Sequence, residues 1–406
     1  MTSTDADTAR WLLSPEAVRQ QTRALFEAGL DGKLGHFTIN LDKLDDATQL
    51  VCQVIRDNYP SLQVPPHARW RHFMVDGVDH WLGVTAATDG DVIERARTDC
   101  ELAIVSVLLD AGAGPQWSYS SNRITRPLAR SEGLAIASLD AFAAGAFSSH
   151  DAKPLQADAS GLLQFDARKL TDLFQVSPKN PLEGLEGRAA LIQRLGAQMA
   201  KFPDIFGTGN PRLGAIADHL LASARNGQLP AREILITLLA ALGPIWPGRI
   251  ELGGQNLGDT WMHPLAPVPG LVPFHKLSQW LTYSLFEPLQ RTGLTITEQD
   301  KLTGLAEYRN GGLFIDTGVI ALRDELQARI PQEPSSELVI EWRALTVALL
   351  DDIAVRVRHQ LGTTPDIMPL ASVLEGGTWA AGRRIASTRR AGGGPPITIV
   401  SDGSVF

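Results

Sequence analysis

The amino-acid sequence predicts a mainly α protein, a compact multi-helix bundle with few short strands. Three observations predict it. Apolar residues recur at helical spacing in segment after segment. Alternating strand patterns are scarce. The 406 residues are 44% hydrophobic and 20% charged, the balance of a globular chain with apolar surface enough for a large core.

Taken in chain order, Pro15–Ala28 opens the series, with Ser14 as N-cap and Pro15 at the first helical position. The pattern repeats over Asp42–Asp57, Ile93–Leu109, Gly133–Ala144, Gly187–Lys201, Leu213–Asn226 and Ala231–Leu242. It is strongest over Glu341–Leu361, where Trp342, Leu345, Leu349, Ile353 and Val357 form one stripe before Gly362 stops the helix. Short extended pieces are expected at Gly248–Leu252, at Ile397–Val400 and around Trp70–Val75. Gly, Pro and Ser cluster at Ala111–Gln116, Ser148–Pro154, Trp246–Pro273 and Gly392–Gly403. The second cluster reads as a hinge and the third as a long irregular connection. The expected organisation is an N-terminal helical half over 1–150, a C-terminal helical half over 151–362 and a loop-rich tail over 363–406. That tail carries Trp379, Ile385, the run Ile397–Val400 and Val405-Phe406, more apolar surface than a free tail needs, so it is expected to pack on the body.

Composition narrows the function. A net charge of -8 argues against a nucleic-acid or anionic-membrane binder held by a general basic surface. Cys52 and Cys100 are the only cysteines and sit at no metal-ligand spacing, so neither a disulfide scaffold nor a zinc module is expected. The opening MTSTDADTARWLL lacks the basic and apolar regions of a signal peptide. The longest apolar run, Ile234–Leu242, is far short of the roughly 20 residues a spanning helix requires. The expectation is a cytoplasmic protein with no nucleic-acid or membrane partner.

Five stretches combine charge with aromatic or glycine residues. In His67-Ala-Arg-Trp-Arg-His-Phe73, four potentially cationic groups (His67, Arg69, Arg71 and His72) sit beside two aromatic anchors, a composition suited to a phosphate or carboxylate. In Leu108-Leu-Asp-Ala-Gly-Ala-Gly114, Asp110 closes an apolar helix where its charge opposes the macrodipole, and Arg130 and Glu132 flank the next helix start. Read as a helix, Pro273–Pro288 puts Lys276, Gln279, Tyr283 and Glu287 on one face, preceded by His275, and Pro288 ends it. Glu307 and Arg309 precede the pair Gly311-Gly312, which can turn backbone N–H groups toward an anion, and Asp316 follows. Glu341 and Arg343 face opposite sides of Trp342. Five acid or base sites in an otherwise apolar chain favour a catalytic pocket. No GxSxG elbow, HExxH or Walker A loop is present, and no metal or other cofactor is expected.

These stretches, with Asn210-Pro-Arg-Leu-Gly214, Glu341-Trp-Arg-Ala-Leu-Thr346 and the closing Ser401–Phe406, resemble the Urc4-type uracil catabolism family, also catalogued as a domain of unknown function. The likeness runs from about residue 10 to the C-terminus. It implies work in a uracil degradation route through UMP and a ribosylurea phosphate, with urea released. A weaker resemblance adds chemistry. Leu108-Leu-Asp-Ala111 with Trp117, Phe274–Leu281, Leu305–Arg309 and Glu337–Ala344 follow the order seen in queuosine-salvage nucleotide N-glycosidases, helical enzymes related to helix-hairpin-helix DNA glycosylases. That likeness implies a glycosylase-like fold. Where that family has an aspartate one turn beyond its Lys-x-x-Gln, this chain has Ser284, with Glu287 following, so the acid is open among Glu287, Asp110 and Asp316.

The two resemblances converge on a hydrolase of a C1′–N bond in a 5′-phosphorylated ribosyl substrate, such as ribosylurea phosphate. The candidate carboxylates are Asp110, Glu132, Glu287, Glu307, Asp316 and Glu341. The candidate substrate and phosphate ligands are His67, Arg69, Arg71, His72, Arg130, His275, Lys276, Gln279, Tyr283, Arg309 and Arg343. A ureido or amide hydrolase of the same route and a non-catalytic binder of a nucleotide intermediate are the alternatives.

Overall fold

The computed structural model describes residues 4–85, 91–246 and 250–400. Over these residues the protein is mainly α, and its strands occur in two-stranded pairs. Every helical segment expected from the spacing contains a helix. Ala231–Leu242 keeps its predicted bounds, and the last long helix begins earlier, at Glu337, because Ser336 caps it by accepting from Val339 N–H. Gly362, at φ 66°, closes that helix in the left-handed conformation. Among the described residues no helix is long and apolar enough to cross a membrane.

By spatial grouping the chain forms two compact units, neither of which is a contiguous half, and no unit boundary falls at Ser148–Pro154. The first unit draws on Met1–His67, Gly248–Gln279 and Glu298–Val400. Its central helix, Glu337–Leu361, packs against Pro15–Leu30 and Leu44–Asn58, and Tyr308–Asp316 packs against Ala380–Arg389. Phe37–Ile39 pairs antiparallel with Ile320–Leu322, Thr38 opposite Ala321. The second unit draws on Ala68–Pro247 and Trp280–Thr297. It is built round Val92–Leu108, which is buried over nearly its whole second half and packs against Arg130–Ala143 and Ala215–Ser223.

Four readings need correction. Pro288 does not end its helix, which spans Lys276–Gln290. Proline lacks the N–H that would bond the carbonyl of Ser284 one turn back, and the indole N–H of Trp70 donates to that carbonyl at 2.7 Å instead. The segment Trp246–Pro273 is not wholly irregular, since Glu251–Leu252 pairs with Gln255–Asn256 and Thr260–Met262 with Leu271–Pro273. The stretch after 362 is less loop-rich than expected: it carries the helices Leu370–Val373 and Ala380–Arg389 joined by a wide turn. Gly311 and Gly312 lie inside the helix Tyr308–Asp316 and form no anion nest. A Cβ on Gly311 would stand 2.6 Å from Trp342 Nε1 and 2.7 Å from Thr346 Oγ1, so the glycine serves a close helix crossing. Gly311→Ala should lower stability by roughly 1–3 kcal/mol, read as a lower urea midpoint, as overpacked cores do.

The described part of the tail is tied down. Ile397 is fully buried, Gln332 N–H donates to Thr398 at 2.9 Å, and Val400 N–H donates to Gln332 at 2.9 Å. Arg309 donates to the carbonyl of Gly393 at 2.7 Å. Truncation after Arg390 should therefore lower the melting temperature, and an unchanged melting curve would refute this packing. The closing motif Ser401–Phe406 lies outside the described residues.

Candidate functional site

In the second unit the basic stretch after His67 forms a short 3-10 helix, Arg69–Phe73, that buries Arg69 completely. Its guanidinium donates to Ser106 Oγ at 2.7 Å and to Asp110 Oδ2 at 2.7 Å. Burial lowers the Arg69 pKa, and the charges of Asp110 and Glu132 oppose that fall. This pairing is the reason an acid stands just past the helix Val92–Leu108, against its dipole. Arg71 pairs with Glu287, and Arg291 reaches the same carboxylate at 3.6 Å. His72 meets Trp280 edge-on at 5.8 Å. Tyr283 is buried against Phe286, and Arg130 starts its helix at a positive φ of 56°. Arg188 is a residue the sequence reading missed. It is fully buried and donates to the carbonyls of Leu109, Ala111, Gly112 and Glu183, fixing the loop that carries Asp110. Burial lowers its pKa to about 10.

In the first unit, several predicted residues hold the structure at separate places. His275 is buried, its Nε2 lies 2.8 Å from the carbonyl of Leu12, and burial lowers its pKa. Arg343 forms a two-pronged pair with Asp259, and Asp316 forms another with Arg390. Glu341 accepts from the N–H groups of Gly35 at 2.9 Å and His36 at 3.0 Å. Burial pushes the Glu341 carboxyl up, but His263 and those two N–H groups outweigh it and hold the pKa below the ordinary value. Gln279 is bonded to Thr303, and Arg309 lies over the Tyr308 ring at 4.7 Å.

A different set gathers round Glu307. This residue caps the helix Tyr308–Asp316, accepting from Arg309 N–H at 2.8 Å and Asn310 N–H at 2.5 Å. Each carboxylate oxygen keeps a second lone pair for another partner. Desolvation raises the Glu307 pKa, against those two N–H bonds and the charges of Lys276 and His67. Lys276 opens the helix Lys276–Gln290, and its N–H donates to Asp259 Oδ2 at 3.1 Å. His67 Nδ1 lies 2.5 Å from Glu375 Oε2. The cluster thus sets a carboxyl of raised pKa, an ammonium and an imidazole–carboxylate pair in one unit, the groups needed to move protons at a polar bond. Among the described residues no group of three or more His, Cys, Asp or Glu side chains is placed to hold a metal ion.

Residues 11–406 match the family described as Protein of unknown function (DUF1688). The chain is 38% identical over 414 residues to "Protein urg3" of Schizosaccharomyces pombe, covering 98% of this chain and 99% of that protein. It is 36% identical over 445 residues to "Uracil catabolism protein 4" of Lachancea kluyveri, covering 97% of this chain and 98% of that protein.

Proposed function

Because the chain belongs to the DUF1688 family and is similar over its length to a protein named for uracil catabolism, we propose that it acts in uracil catabolism. The reaction is hydrolysis of the C1′–N bond of a 5′-phosphorylated ribosyl substrate. Ribosylurea phosphate is the substrate of choice, giving urea and ribose 5-phosphate. The observation that carries this reading is the raised pKa of Glu307 beside Lys276 and the His67–Glu375 pair. A carboxylate whose pKa is raised by burial is a stronger general base than an ordinary glutamate.

In this reading Glu307 takes a proton from water as its oxygen bonds to C1′. The C1′–N bond breaks, and its electron pair goes to the leaving urea nitrogen. Protonated His67 gives that nitrogen its proton, with the Glu375 carboxylate balancing the imidazolium charge. The ammonium of Lys276 holds the substrate phosphate, whose binding energy is spent on distortion at the reacting carbon. Afterwards Glu307 passes its proton to solvent and His67 regains one.

The test is direct. Purified protein is incubated separately with UMP, its ring-opened product and ribosylurea phosphate, and urea and ribose 5-phosphate are followed by NMR. Equal amounts of the two products from ribosylurea phosphate alone would support the reading. Release of ammonia with the ribose still attached would replace it with ureido or amide hydrolysis.

A further inference from the structure

His67 is met twice by the segment that follows Met368. Its backbone N–H donates to the carbonyl of Ala371 at 2.8 Å, and its ring nitrogen Nδ1 meets Glu375 at 2.5 Å. Glu375 lies in a wide π-helical turn, Leu374–Trp379, set between two α-helices. Such turns are rare and are frequent at functional sites. Gly376 lets this one seat closely, since a Cβ there would stand 2.7 Å from Val64 Cγ1 and 3.1 Å from Tyr59 Cδ2. The His67 and Glu375 side chains are only 4% and 11% exposed, so water competes little for their bond. The same turn reaches the other proton-transfer group. Thr378 Oγ1 donates to Asn310 Oδ1 at 2.8 Å, and Asn310 N–H donates to Glu307 Oε1.

We infer that Glu375 is a positioning residue: it holds a proton on Nδ1 of His67 and so makes Nε2 the nitrogen that exchanges a proton with substrate. A carboxylate oxygen accepts only, so the bond to Glu375 selects the tautomer. The wide turn then ties both ends of the proton transfer to one stretch of backbone, through Glu375 on one side and Thr378 with Asn310 on the other. The inference rests on the proposed hydrolysis for its consequence in rate, but the tautomer belongs to the free protein.

The experiment combines both readouts on the full chain. Imidazole nitrogens of His67 are assigned by NMR in histidine-labelled protein, above the pH at which the ring is neutral. The parent should carry its proton on Nδ1, and Glu375→Gln should shift the population toward Nε2–H. Turnover of ribosylurea phosphate by that variant should fall on the order of 10²-fold in kcat, the scale of a misplaced acid–base group, with KM changed less than about twofold. An unchanged tautomer in Glu375→Gln would overturn the inference whatever the rate does. Should that variant not fold, Glu375→Asp, whose carboxylate is one methylene short of the ring, is read by the same two criteria. Full activity in both His67→Gln and Glu307→Gln would instead sink the proposed reaction and leave the tautomer to decide the role of Glu375.

Discussion

Glu307→Gln should lower kcat on ribosylurea phosphate on the order of 10²-fold or more, the usual cost of removing a general base, with KM little altered. The substitution keeps an acceptor oxygen for the helix N-terminus, which now bonds Glu307 at Arg309 N–H and Asn310 N–H. Its cost in stability should therefore not exceed about 1 kcal/mol, the typical worth of a cap. The pH dependence separates chemistry from unfolding. The pKa of Glu307 is raised, so the carboxylate needed as base exists only above that raised value. Activity should be held above it and lost as pH falls through it, and the acid limb should lie above the ordinary glutamate range. Stability runs the other way. A glutamate whose folded pKa exceeds its unfolded one contributes stability that is present at low pH and declines as pH rises through the folded pKa. The acid loss of rate should thus occur with no matching fall in melting temperature from this residue. Rate profiles and thermal melts over one pH range check both signs. A Glu307→Gln enzyme with wild-type kcat would end the general-base assignment.

The helices were legible because their information is local. Ser14 and Pro15 announce the helix that starts at Pro15, and Gly362 announces the end of Glu337–Leu361. Asp110 stands where a helix end disfavours an acid, which marks it in the sequence, and its pairing with Arg69 is the reason. What stayed hidden depends on contacts distant in sequence. Glu375 meets His67 across 308 residues, and no spacing rule connects them. Pro288 reads as a stop until the indole of Trp70, 214 residues before Ser284, is seen to satisfy the orphaned carbonyl. The density of cations and acids after His67 is visible in the sequence, but composition does not say which pairs form. Arg69 and Arg71 turn out to face carboxylates, whereas Lys276 and His67 act on Glu307. Glu101 carried no signal at all: it sits in the apolar helix Val92–Leu108, where burial pushes its carboxyl up to about 7 against the pull of Arg212.

Arg343→Met should destabilise the protein by about 3–5 kcal/mol at neutral pH, the cost of leaving a buried charge without its partner. The Arg343 and Asp259 side chains are 1% and 11% exposed, and the guanidinium meets both carboxylate oxygens at 2.8 and 2.7 Å while lying 4.0 Å over Phe274. Asp259 does more than pair. It accepts from the indole of Trp261 at 2.7 Å and from Lys276 N–H at 3.1 Å, so it also anchors the start of the helix that carries Lys276. Burial pushes the Asp259 carboxyl up, but Arg343 and the Trp261 indole together outweigh it and hold the pKa well below the ordinary aspartate range. A depressed carboxyl contributes stability that is present above its unfolded pKa and lost as pH falls from there toward the folded one. The parent should therefore lose this contribution only in acid, below about pH 4. In Arg343→Met the carboxylate has lost that support and can be relieved by taking a proton. The gap between variant and parent should then be widest at neutral pH and narrow as the pH is lowered. Urea unfolding of both proteins at pH 7 and near pH 4 measures it, and Asp259→Asn combined with Arg343→Met should recover part of the loss by removing the stranded charge. A deficit below about 1 kcal/mol, constant with pH, would mean that the pair does not carry the stability its burial implies.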